Sequence, residues 1–514
     1  MDAQGIAKLA AFVLYLGFMI YIGLRNARNN NSSKDFFLGG RKVGPWVTAL
    51  SAEASDSSAW LLMGLPGLCY LGGIKETFWT ALGLIVGTYL NWLFVAKPLR
   101  KCSIAFGDSI TIPEFFTNRF KDKSHVLSVI SVVFIVFFFT IYTASGFVAC
   151  AKLFHSVFGL NYYVGLVIGL VVILTYTITG GYTAVCTTDF IQGLLIFLAF
   201  VVSSIIAIVS LGGPANAIES ARQFSVLAIA GRFGEAFKAR FVANQSYSVL
   251  NAISAFSWCL GYFGMPHIII RFMGIRSNSE ITQARRIGIV WMVISYIGTF
   301  IIGTLGTVYL AGGDLSSPRL ILQGGLEETV FSATMLKMYP AFIAGIFLCA
   351  ILAASMSTAD SQLLSAASAV SLDIYRGIIN KEADEKKVLF VSRVTVFLIA
   401  AIAFVLCLLP NNQSIFGLVS YAWAGFGATF GPLILLSLFW KGITRNGAVA
   451  GLVGGGITVV VWHNLSGGIF NIFNVYEILP GFLVCLILAV VVSLCGKKDS
   501  EVLAEFDAYK NMED

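Results

Sequence analysis

Val-Thr-Ala-Leu-Ser-Ala-Glu-Ala-Ser-Asp-Ser-Ser-Ala-Trp-Leu-Leu-Met-Gly-Leu-Pro-Gly, residues 47–67, is the stretch that decides the fold. It has the length of a membrane-spanning helix, roughly 20 residues, yet Glu53, Asp56 and several serines occupy its middle. A carboxylate at mid-bilayer costs several kcal/mol unless it is solvated or paired. We expect a break in the helix, because freed carbonyls can bind a cation and freed N–H groups can face a substrate carboxylate. The alternative is that these polar side chains only join the helix to its neighbours.

The composition is that of a protein that crosses a membrane many times. The chain has 514 residues, of which 57% are hydrophobic and 12% charged, and its mean hydropathy is +0.83. No soluble domain of this size has such a composition. The net charge of +7 is not read as a sign of nucleic-acid binding, because the placement of the basic residues along the chain indicates membrane topology instead. The nine cysteines stand singly and histidine is nearly absent, so neither a disulfide framework nor a zinc site is predicted.

Hydropathy and length predict about thirteen apolar spans. They lie near residues 6–24, 47–70, 78–96, 126–154, 162–179, 189–210, 247–272, 287–310, 334–366, 391–408, 415–438, 447–463 and 478–495. Basic residues concentrate in alternate connections, which the positive-inside rule assigns to the cytoplasm. The N-terminus is therefore expected outside and the C-terminus in the cytoplasm, as an odd number of spans requires. The first span lacks a basic segment before it, which is typical of a retained span, not of a cleaved signal peptide.

The connections leave no room for a separate soluble domain. The longest, 211–246 and 311–333, are expected outside and to carry short surface helices. The polar tail 496–514 is expected to be a solvated end.

A second interrupted helix is predicted in the seventh span. The sequence Ser-Trp-Cys-Leu-Gly-Tyr-Phe-Gly-Met-Pro-His, residues 257–267, contains Gly261, Gly264 and Pro266. Proline lacks an N–H and clashes with the preceding turn, so the helix should break there. Two interrupted segments that each begin a unit of five spans are typical of inverted-repeat transporters. An ordinary proline kink is the alternative.

The ninth span carries the best candidates for cation ligands. Between Ile351 and Leu364, the hydroxyls of Ser357 and Thr358 lie beside the backbone of Ala354. Hydroxyl and carbonyl oxygens with few formal charges suit a small monovalent ion, whereas a dense set of carboxylates suits a divalent one. Serines and threonines that only pack helices together are the alternative.

Two further carboxylates lie within the apolar spans. Asp360 is embedded in the ninth span, and a carboxylate inside a membrane span indicates a functional site unless shown otherwise. Asp189 opens the sixth predicted span, where it either caps the helix or joins Asp360 and Ser361 in a second cation or proton site.

Six motifs spread over nearly the whole chain resemble the sodium:solute symporter family. They are Leu-Gly-Gly-Arg (38–41), Val-Thr-Ala-Leu-Ser-Ala (47–52), Trp-Leu-Leu-Met-Gly-Leu-Pro-Gly (60–67), Phe-Phe-Thr-Ile-Tyr-Thr-Ala-Ser-Gly (138–146), Leu-Gly-Tyr-Phe-Gly-Met-Pro-His (260–267) and Gly-Leu-Val-Ser-Tyr-Ala-Trp-Ala-Gly-Phe-Gly-Ala (417–428). Within the family, the likeness is strongest to members that carry proline.

The resemblance implies an all-α polytopic membrane protein with a LeuT-like core of two inverted five-span repeats. The chain would form a single transport domain over residues 1–514. Its expected parts are the first span and cytoplasmic loop (1–45), repeat one (46–210), repeat two (247–440), spans twelve and thirteen (441–495) and a cytoplasmic tail (496–514).

The resemblance also implies the residues of the transport site. Sodium would bind the carbonyls of Ala54, Ser57 and Ala354 and the hydroxyls of Ser357 and Thr358. Asp56, Ser58 and Arg41 would couple sodium to the substrate. The substrate pocket would be lined by Ser58, Ala59, Tyr142, Trp258, Tyr262 and Pro266. The chain departs from the proline-carrying members at Glu53, Ser57 and Ala59, where those members have Gly, Met and Gly, and at Asp360 and Ser361.

The function implied is import of L-proline coupled to sodium entry, with sodium as the only cofactor, in the bacterial inner membrane. Another small amino acid or organic solute is the alternative substrate. No nucleic acid and no obligatory protein partner is expected. A channel predicts a continuous polar pore lining, whereas the polar residues here cluster in single spans. An intramembrane enzyme would need a nucleophile with a base or a metal pair, and the sequence offers neither; the absence of a P-loop argues against ATP-driven pumping.

Overall fold

The computed structural model describes residues 2–27, 32–179, 181–232, 235–243, 247–310, 322, 326–409, 414–466 and 471–512. Over these ranges the chain folds into α-helices joined by short turns. The helices are α1 (Ala3–Ala27), α2 (Ser33–Leu38), α3 (Pro45–Ala59), α4 (Leu65–Gly72), α5 (Ile74–Leu90), α6 (Ala96–Ala105), α7 (Ile112–Arg119), α8 (Val126–Phe158), α9 (Tyr162–Thr179), α10 (Tyr182–Ser210), α11 (Pro214–Ile229), α12 (Glu235–Ala243), α13 (Val249–Phe256), α14 (Pro266–Gly274), α15 (Ile281–Leu310), α16 (Val330–Met338), α17 (Ala341–Ser368), α18 (Glu385–Cys407), α19 (Ile415–Phe439), α20 (Arg445–Leu465), α21 (Ile478–Cys495) and α22 (Ser500–Asn511).

Shorter segments with tighter or wider winding connect several of these helices. Trp60–Gly64, Asn91–Val95 and Ala369–Ile379 are wound as π-helix, whereas Gly39–Arg41, Ser257–Phe263, Asn278–Glu280, Glu327–Thr329 and Asn471–Asn474 are 3-10 turns. Both kinds of winding mark places where the regular hydrogen-bond ladder of a helix is interrupted.

Within the described ranges, ten helical stretches are long and apolar enough to cross a membrane, or up to eleven with a bent pair counted as one span. The other two predicted spans, 47–70 and 162–179, are helical as α3–α4 and as α9. The first of them is polar and interrupted, and the apolar part of the second is short, so the count of thirteen stays a prediction.

Several predicted span boundaries differ from those in the structure, and two of them matter for the site. The sixth span begins at Tyr182, seven residues before the predicted start at Asp189. The ninth predicted span, 334–366, is divided between α16 and α17, because Pro340 precedes α17 and cannot continue α16. In the connection 211–246, α11 and α12 confirm the expected short helices, whereas most of 311–333 lies outside the described residues.

The two interrupted spans run in opposite directions. At one end, Val43 before α3 pairs with the residues that end α14: the Val43 N–H donates to the carbonyl of Gly274 at 3.4 Å, and the Arg276 N–H donates to the carbonyl of Val43 at 2.9 Å. At the other end, the rings of Trp60 and Trp258 stack with centroids 5.3 Å apart. Residue numbers thus rise along one span as they fall along the other, which is the relation that an inverted repeat requires.

Helix α17 forms the centre of the bundle. It packs against α1, α3, α8 and α10, and all of its residues from Ile351 to Ser368 are buried. A helix that is buried on every side belongs in the interior of a large bundle. The hydroxyls of α17 therefore face other helices and not lipid.

The C-terminal tail is folded back on the protein, so the prediction of a solvated end was wrong. Within α22, Val502, Phe506 and Tyr509 are buried. The guanidinium of Arg119 at the end of α7 lies over the ring of Phe506, 4.7 Å from its centroid. The tail is charged overall, but its apolar residues share one face, and that periodicity is what allows it to dock.

Candidate functional site

The break in the second span lies at Ser58. Its backbone angles are φ 41° and ψ −179°, inside an otherwise helical segment that resumes at Ala59. The Ser58 hydroxyl accepts a hydrogen bond from the N–H of Trp60 at 3.1 Å, and the same N–H faces the carbonyls of Ser57 and Ser58. This conformation is rare for any residue but glycine and persists only where the surroundings hold it. The predicted interruption is confirmed.

The seventh span is also interrupted where the sequence predicts. The chain leaves α13 through the 3-10 turn Ser257–Phe263, becomes extended at Met265 and resumes as α14 at Pro266. The two halves are bent by 44°. Helix α19 covers this break: a Cβ added to Gly261 would lie 1.9 Å from the indole nitrogen of Trp423. The glycine is needed because another helix passes too close for a side chain.

The break in the second span brings backbone oxygens against the hydroxyls of α17. The Ser357 hydroxyl donates to the carbonyl of Ala54 at 2.9 Å and to that of Ala354 at 3.3 Å. The Thr358 hydroxyl donates to the carbonyl of Ser55 at 2.8 Å. All of these groups are buried. The set contains hydroxyl and carbonyl oxygens, which are the ligands that a small monovalent cation prefers.

Of the five expected sodium ligands, Ser57 is the one whose described hydrogen bonds stay within its own span and do not reach α17. Its carbonyl faces the N–H of Trp60, and its hydroxyl donates to the carbonyl of Glu53 at 2.6 Å. The other four, Ala54, Ala354, Ser357 and Thr358, are brought to one place by α3 and α17. Sequence reasoning did not name the carbonyl of Ser55, which Thr358 contacts directly.

Asp56 stands two residues before the break and lies between two tyrosines. Its carboxylate accepts a hydrogen bond from the hydroxyl of Tyr262 at 2.5 Å, and its backbone carbonyl lies 3.5 Å from the hydroxyl of Tyr142. All three residues are buried. The arrangement joins the two interrupted spans through one carboxylate, because Asp56 belongs to α3 and Tyr262 to the broken segment before α14.

Aromatic side chains cover this region. Trp258 stacks on Trp60 and on Tyr476, with centroids 5.3 and 5.1 Å apart, and its carbonyl accepts from the indole of Trp423 at 2.9 Å. Beyond this layer lies a cavity of about 330 Å³ whose lining includes Trp258, Phe416, Tyr476 and Glu477. Trp258 thus belongs both to the lining of the cavity and to the aromatic stack that includes Trp60.

A crevice with no room for a water molecule lies against the break itself. Its lining includes Ser58, Tyr142, Ser145, Thr358 and Gln362. Two of the expected substrate residues, Ser58 and Tyr142, thus share a space with the expected sodium ligand Thr358. Sequence reasoning missed Gln362, although its position one turn after Thr358 on α17 was a usable signal.

Arg41 lies at the end of the bundle near Val43 and not at the break. Its guanidinium donates to the carboxylate of Asp108 at 3.1 Å and to the carbonyls of Met273 and Ser109 at 2.5 and 2.9 Å. Burial lowers the pKa of Arg41 from its usual value, and the charge of Asp108 opposes that shift. Arg41 therefore fastens the end of α14 to the turn before α7.

The expected second cation site contains a guanidinium. The Arg271 side chain donates to the carboxylate of Asp189 at 3.2 Å, and also to the hydroxyl of Ser361. The carboxylate of Asp360 lies beside this group and accepts from the hydroxyl of Ser361 at 3.4 Å. Because α10 begins at Tyr182, Asp189 stands two turns inside the helix, and its alternative interpretation as a helix cap was wrong. Arg271 is one of the basic residues from which the positive-inside rule predicted the cytoplasmic connections, but it is buried among the helices.

Comparison with known proteins gives a family and a fold. The sequence profile of the sodium:solute symporter family matches residues 36–455. The sodium/proline symporter of Escherichia coli strain K12 is 42% identical over 508 residues, which are 98% of this chain and 96% of that protein. The osmoregulated proline transporter OpuE of Bacillus subtilis strain 168 is 41% identical over 490 residues, 95% of this chain and 94% of that protein.

Solved structures agree on the fold. A Na⁺-coupled sialic acid symporter in a substrate-bound outward-open state superposes with a TM-score of 0.75 at 20% identity, covering 96% of this chain and 98% of that one. A transporter of the nucleobase-cation-symport-1 family in a closed conformation superposes with a TM-score of 0.53 at 12% identity, covering 94% of this chain and 99% of that one. At these identities the likeness concerns the fold alone.

Proposed function

This chain belongs to the sodium:solute symporter family, and from that premise we propose that it imports L-proline together with sodium by alternating access. It is a multi-pass membrane transporter and not an enzyme. The observation that carries the proposal is the break at Ser58, which places the carbonyls of α3 against the hydroxyls of Ser357 and Thr358 beside the carboxylate of Asp56.

Sodium binds first in this scheme and orders the break. A cation held by the carbonyls of Ala54 and Ala354 and the hydroxyls of Ser357 and Thr358 ties α3 to α17. It thereby fixes the conformation of Ser58 and the direction of the N–H groups beyond it. Proline then meets a preorganised site. Such coupling is reciprocal, so proline must strengthen sodium binding by the same factor.

Proline is a compact zwitterion with an apolar ring, and the residues around the break suit each part of it. The N–H groups at the start of the helix that resumes after Ser58 point to a donor set for the carboxylate. Asp56 and the hydroxyl of Tyr142 are acceptors for the secondary ammonium, and the aromatic faces of Tyr142 and Tyr262 contact the ring. Trp258 closes the site towards the outer cavity, so that the substrate enters when the layer formed by Trp258 and Trp60 opens.

The sodium gradient is sufficient to drive accumulation. One sodium ion that enters down about 100 mV releases about 2.3 kcal/mol, and a tenfold concentration gradient adds about 1.4 kcal/mol. The sum of about 3.7 kcal/mol corresponds to accumulation of about 500-fold.

The positive-inside rule supports an orientation with the N-terminus outside and the C-terminus in the cytoplasm. The bacterial relatives support placement in the inner membrane. In this orientation Arg41 and the docked α22 belong to the cytoplasmic end, and the aromatic layer with its cavity belongs to the outside.

A different small amino acid or organic solute is the alternative substrate. Ala59 is buried directly after the break, where the proline-carrying members of the family have glycine. Its methyl group narrows the space beside Ser58, and such a change alters which substrates fit. The alternative keeps the same sodium site and the same direction of transport.

Uptake of radiolabelled proline into proteoliposomes with imposed sodium gradients tests the proposal. We expect saturable uptake that requires an inward sodium gradient and collapses when a sodium ionophore is added. Unlabelled amino acids added as competitors rank the substrates. Uptake that is indifferent to sodium, or sodium currents without any substrate, would contradict a symporter.

A further inference from the structure

A cavity of about 210 Å³ lies at one end of the bundle, between the turn that joins α19 to α20, the turn that joins α21 to α22, and the end of α7. In the orientation proposed above, this end faces the cytoplasm. Asp499 is the acidic residue of the described lining, whereas five of the lining residues are basic. We call it the basic cavity after these five, which are Lys121, Lys441, Arg445, Lys497 and Lys498.

The basic cavity is built by packed elements. The Thr444 N–H donates to the hydroxyl of Ser493 at 3.0 Å, and a Cβ added to Gly447 would lie 1.9 Å from the oxygen of the same hydroxyl. The start of α20 therefore packs directly against the end of α21. On a further side, Val502 and Leu503 of the docked α22 line the cavity, and Val502 is buried. Helix packing therefore holds the walls of the cavity in place.

Two of the five basic residues have no acidic partner. The ammonium groups of Lys497 and Lys498 form neither an ion pair nor a hydrogen bond with any residue that the structure describes, and both side chains are exposed. Lys441 lies 3.5 Å from the carboxylate of Asp507, but both side chains are more than half exposed, and an ion pair of this kind contributes little to stability. The remaining two are paired, Arg445 with Asp122 and Lys121 with Glu505. The charges of Lys497 and Lys498 are therefore available to a ligand.

The N-terminus of α20 adds to the attraction for an anion. This helix begins in the lining with Arg445 and Asn446, whose N–H groups have no acceptor within their own helix. The positive end of the helix dipole lies there as well and favours negative charge. The acidic Asp499 is engaged with another helix, because its carboxylate accepts from the N–H of Glu501 at 2.9 Å and caps α22. The basic cavity as a whole therefore suits a phosphate group.

Apolar side chains lie directly on the membrane side of the basic cavity. On α21, Val491 and Leu494 are exposed, and Lys497 follows within two turns. Trp440 follows the end of α19, and tryptophan is enriched at the membrane–water interface. An anionic phospholipid has the matching arrangement, with a phosphate at the level of the interface and acyl chains beneath it. A free inorganic anion would use only the charged part of this surface.

We propose that the basic cavity binds the headgroup phosphate of an anionic phospholipid from the cytoplasmic leaflet, whose acyl chains lie along α21. Clusters of basic residues at the cytoplasmic ends of membrane spans attract anionic lipids. A phosphate held by Lys441, Lys497 and Lys498 links the turn after α19 to the turn before α22, so the lipid stabilises the docked tail. The inference goes beyond the proposed function, because the lipid is a bound ligand and not the transported substrate.

A lipid titration of the purified protein is the first test. Short-chain phosphatidylglycerol is added to protein in uncharged detergent, and the melting temperature is followed, because a ligand that binds the folded protein raises it. We expect phosphatidylglycerol to raise the melting temperature at concentrations at which phosphatidylcholine of the same chain length does not. Equal stabilisation by phosphatidylcholine would overturn the inference. Equal stabilisation by glycerol 3-phosphate or inorganic phosphate would identify a site for a free anion and would also overturn it.

The double variant Lys497→Gln with Lys498→Gln assigns the effect to the cavity. Both side chains are exposed, so the variant should fold. Loss of two lysines at a lipid surface should raise the phosphatidylglycerol concentration for half of the stabilisation by about 30-fold. The matched control is Lys386→Gln with Lys387→Gln, an exposed pair of lysines in the first turn of α18, and it should behave as wild type. Equal concentrations for wild type and Lys497→Gln with Lys498→Gln would overturn the inference.

Cleavage of the tail gives a readout that does not depend on thermal stability. Chymotrypsin cuts after aromatic residues, and Phe506 and Tyr509 are buried in the docked α22. We expect phosphatidylglycerol to slow cleavage at these residues several-fold in the wild-type protein but not in Lys497→Gln with Lys498→Gln, whereas phosphatidylcholine should slow it in neither. An unchanged cleavage rate in wild-type protein with phosphatidylglycerol would overturn the inference and leave the proposed function standing.

Discussion

At the scale of single residues, the proposed transport site depends on a few short hydrogen bonds that side-chain hydroxyls donate. The hydroxyl of Thr358 reaches the carbonyl of Ser55, and the hydroxyl of Tyr262 reaches the carboxylate of Asp56. Each contact joins two separate elements, so loss of one hydroxyl removes a link between them and, at Thr358, a proposed sodium ligand. The residue type at each position was visible in the sequence, whereas the partner was not.

Thr358→Ala should raise the sodium concentration for half-maximal uptake. Loss of one oxygen ligand weakens sodium binding by about 1.4 kcal/mol, which corresponds to about tenfold. Uptake as a function of sodium concentration measures the change, and uptake at saturating sodium should recover. Thr358→Ser keeps the hydroxyl and serves as control. An unchanged sodium requirement in the alanine variant would place the ion elsewhere.

Asp56→Asn should reduce sodium-driven uptake by about tenfold or more, because a hydrogen bond to a charged group contributes about 1.5–3 kcal/mol. The amide keeps the size of the side chain but loses the charge that faces Tyr262. Initial rates in proteoliposomes give the effect. Glu505→Gln, which neutralises a carboxylate of the docked α22 beside Lys121, is the control and should leave uptake unchanged. Full sodium-coupled uptake by Asp56→Asn would remove Asp56 from the mechanism.

At the scale of elements, two helices are interrupted for different reasons. The second span breaks at Ser58, where no glycine or proline stands, and its unusual backbone is held by the packing of α17 and α8 around it. The seventh span breaks at Met265, directly before Pro266, and its glycines allow α19 to approach. The sequence predicted both breaks. The first was predicted from polar residues in the middle of a membrane span, and the second from glycine and proline residues, which interrupt a helix.

Gly261→Ala should destabilise the protein and abolish transport. The added Cβ would lie 1.9 Å from the indole of Trp423, so α19 would have to withdraw from the break, and overpacking of this kind costs about 1–3 kcal/mol. Thermal denaturation in detergent and proline uptake report the two effects. In the control Gly17→Ala on α1, the added Cβ meets nothing within 4 Å, and stability should be kept. Equal melting temperatures for the two variants would mean that α19 does not pack tightly against Gly261.

At the scale of the whole molecule, charged residues outside the spans form ion pairs and hydrogen bonds that link distant parts of the chain. In the turn between α7 and α8, Asp122 accepts from the hydroxyl of Ser124 at 2.6 Å, the N–H of Leu127 at 2.8 Å and the guanidinium of Arg445 at 2.7 Å. Burial alone would raise the pKa of Asp122, but these hydrogen bonds and the charge of Arg445 outweigh it and lower the pKa below its usual value.

The lowered pKa of Asp122 predicts a pH-dependent contribution to stability. Its pKa in the unfolded chain is about 3.9, so the contribution is complete above that value and disappears as the pH falls through the lower folded-state pKa. Asp122→Asn should therefore lower the melting temperature at pH 6–7, and the difference from wild type should shrink towards pH 3. Melting curves across this range provide the check. A difference that grows on acidification would contradict the assignment.

The sequence by itself determined the membrane class, the two interruptions and the family, and it supplied the residue types of the proposed sodium site. It could do so because a polar residue within a membrane span is costly and therefore indicates a special role, and because proline and glycine change the helix at their own position. Only the tertiary structure decided that Arg271 lies between Asp189 and Ser361 and that Asp56 meets Tyr262. These pairings join residues dozens to hundreds of positions apart, and the packing of four helices, which no local pattern encodes, sets which of them meet.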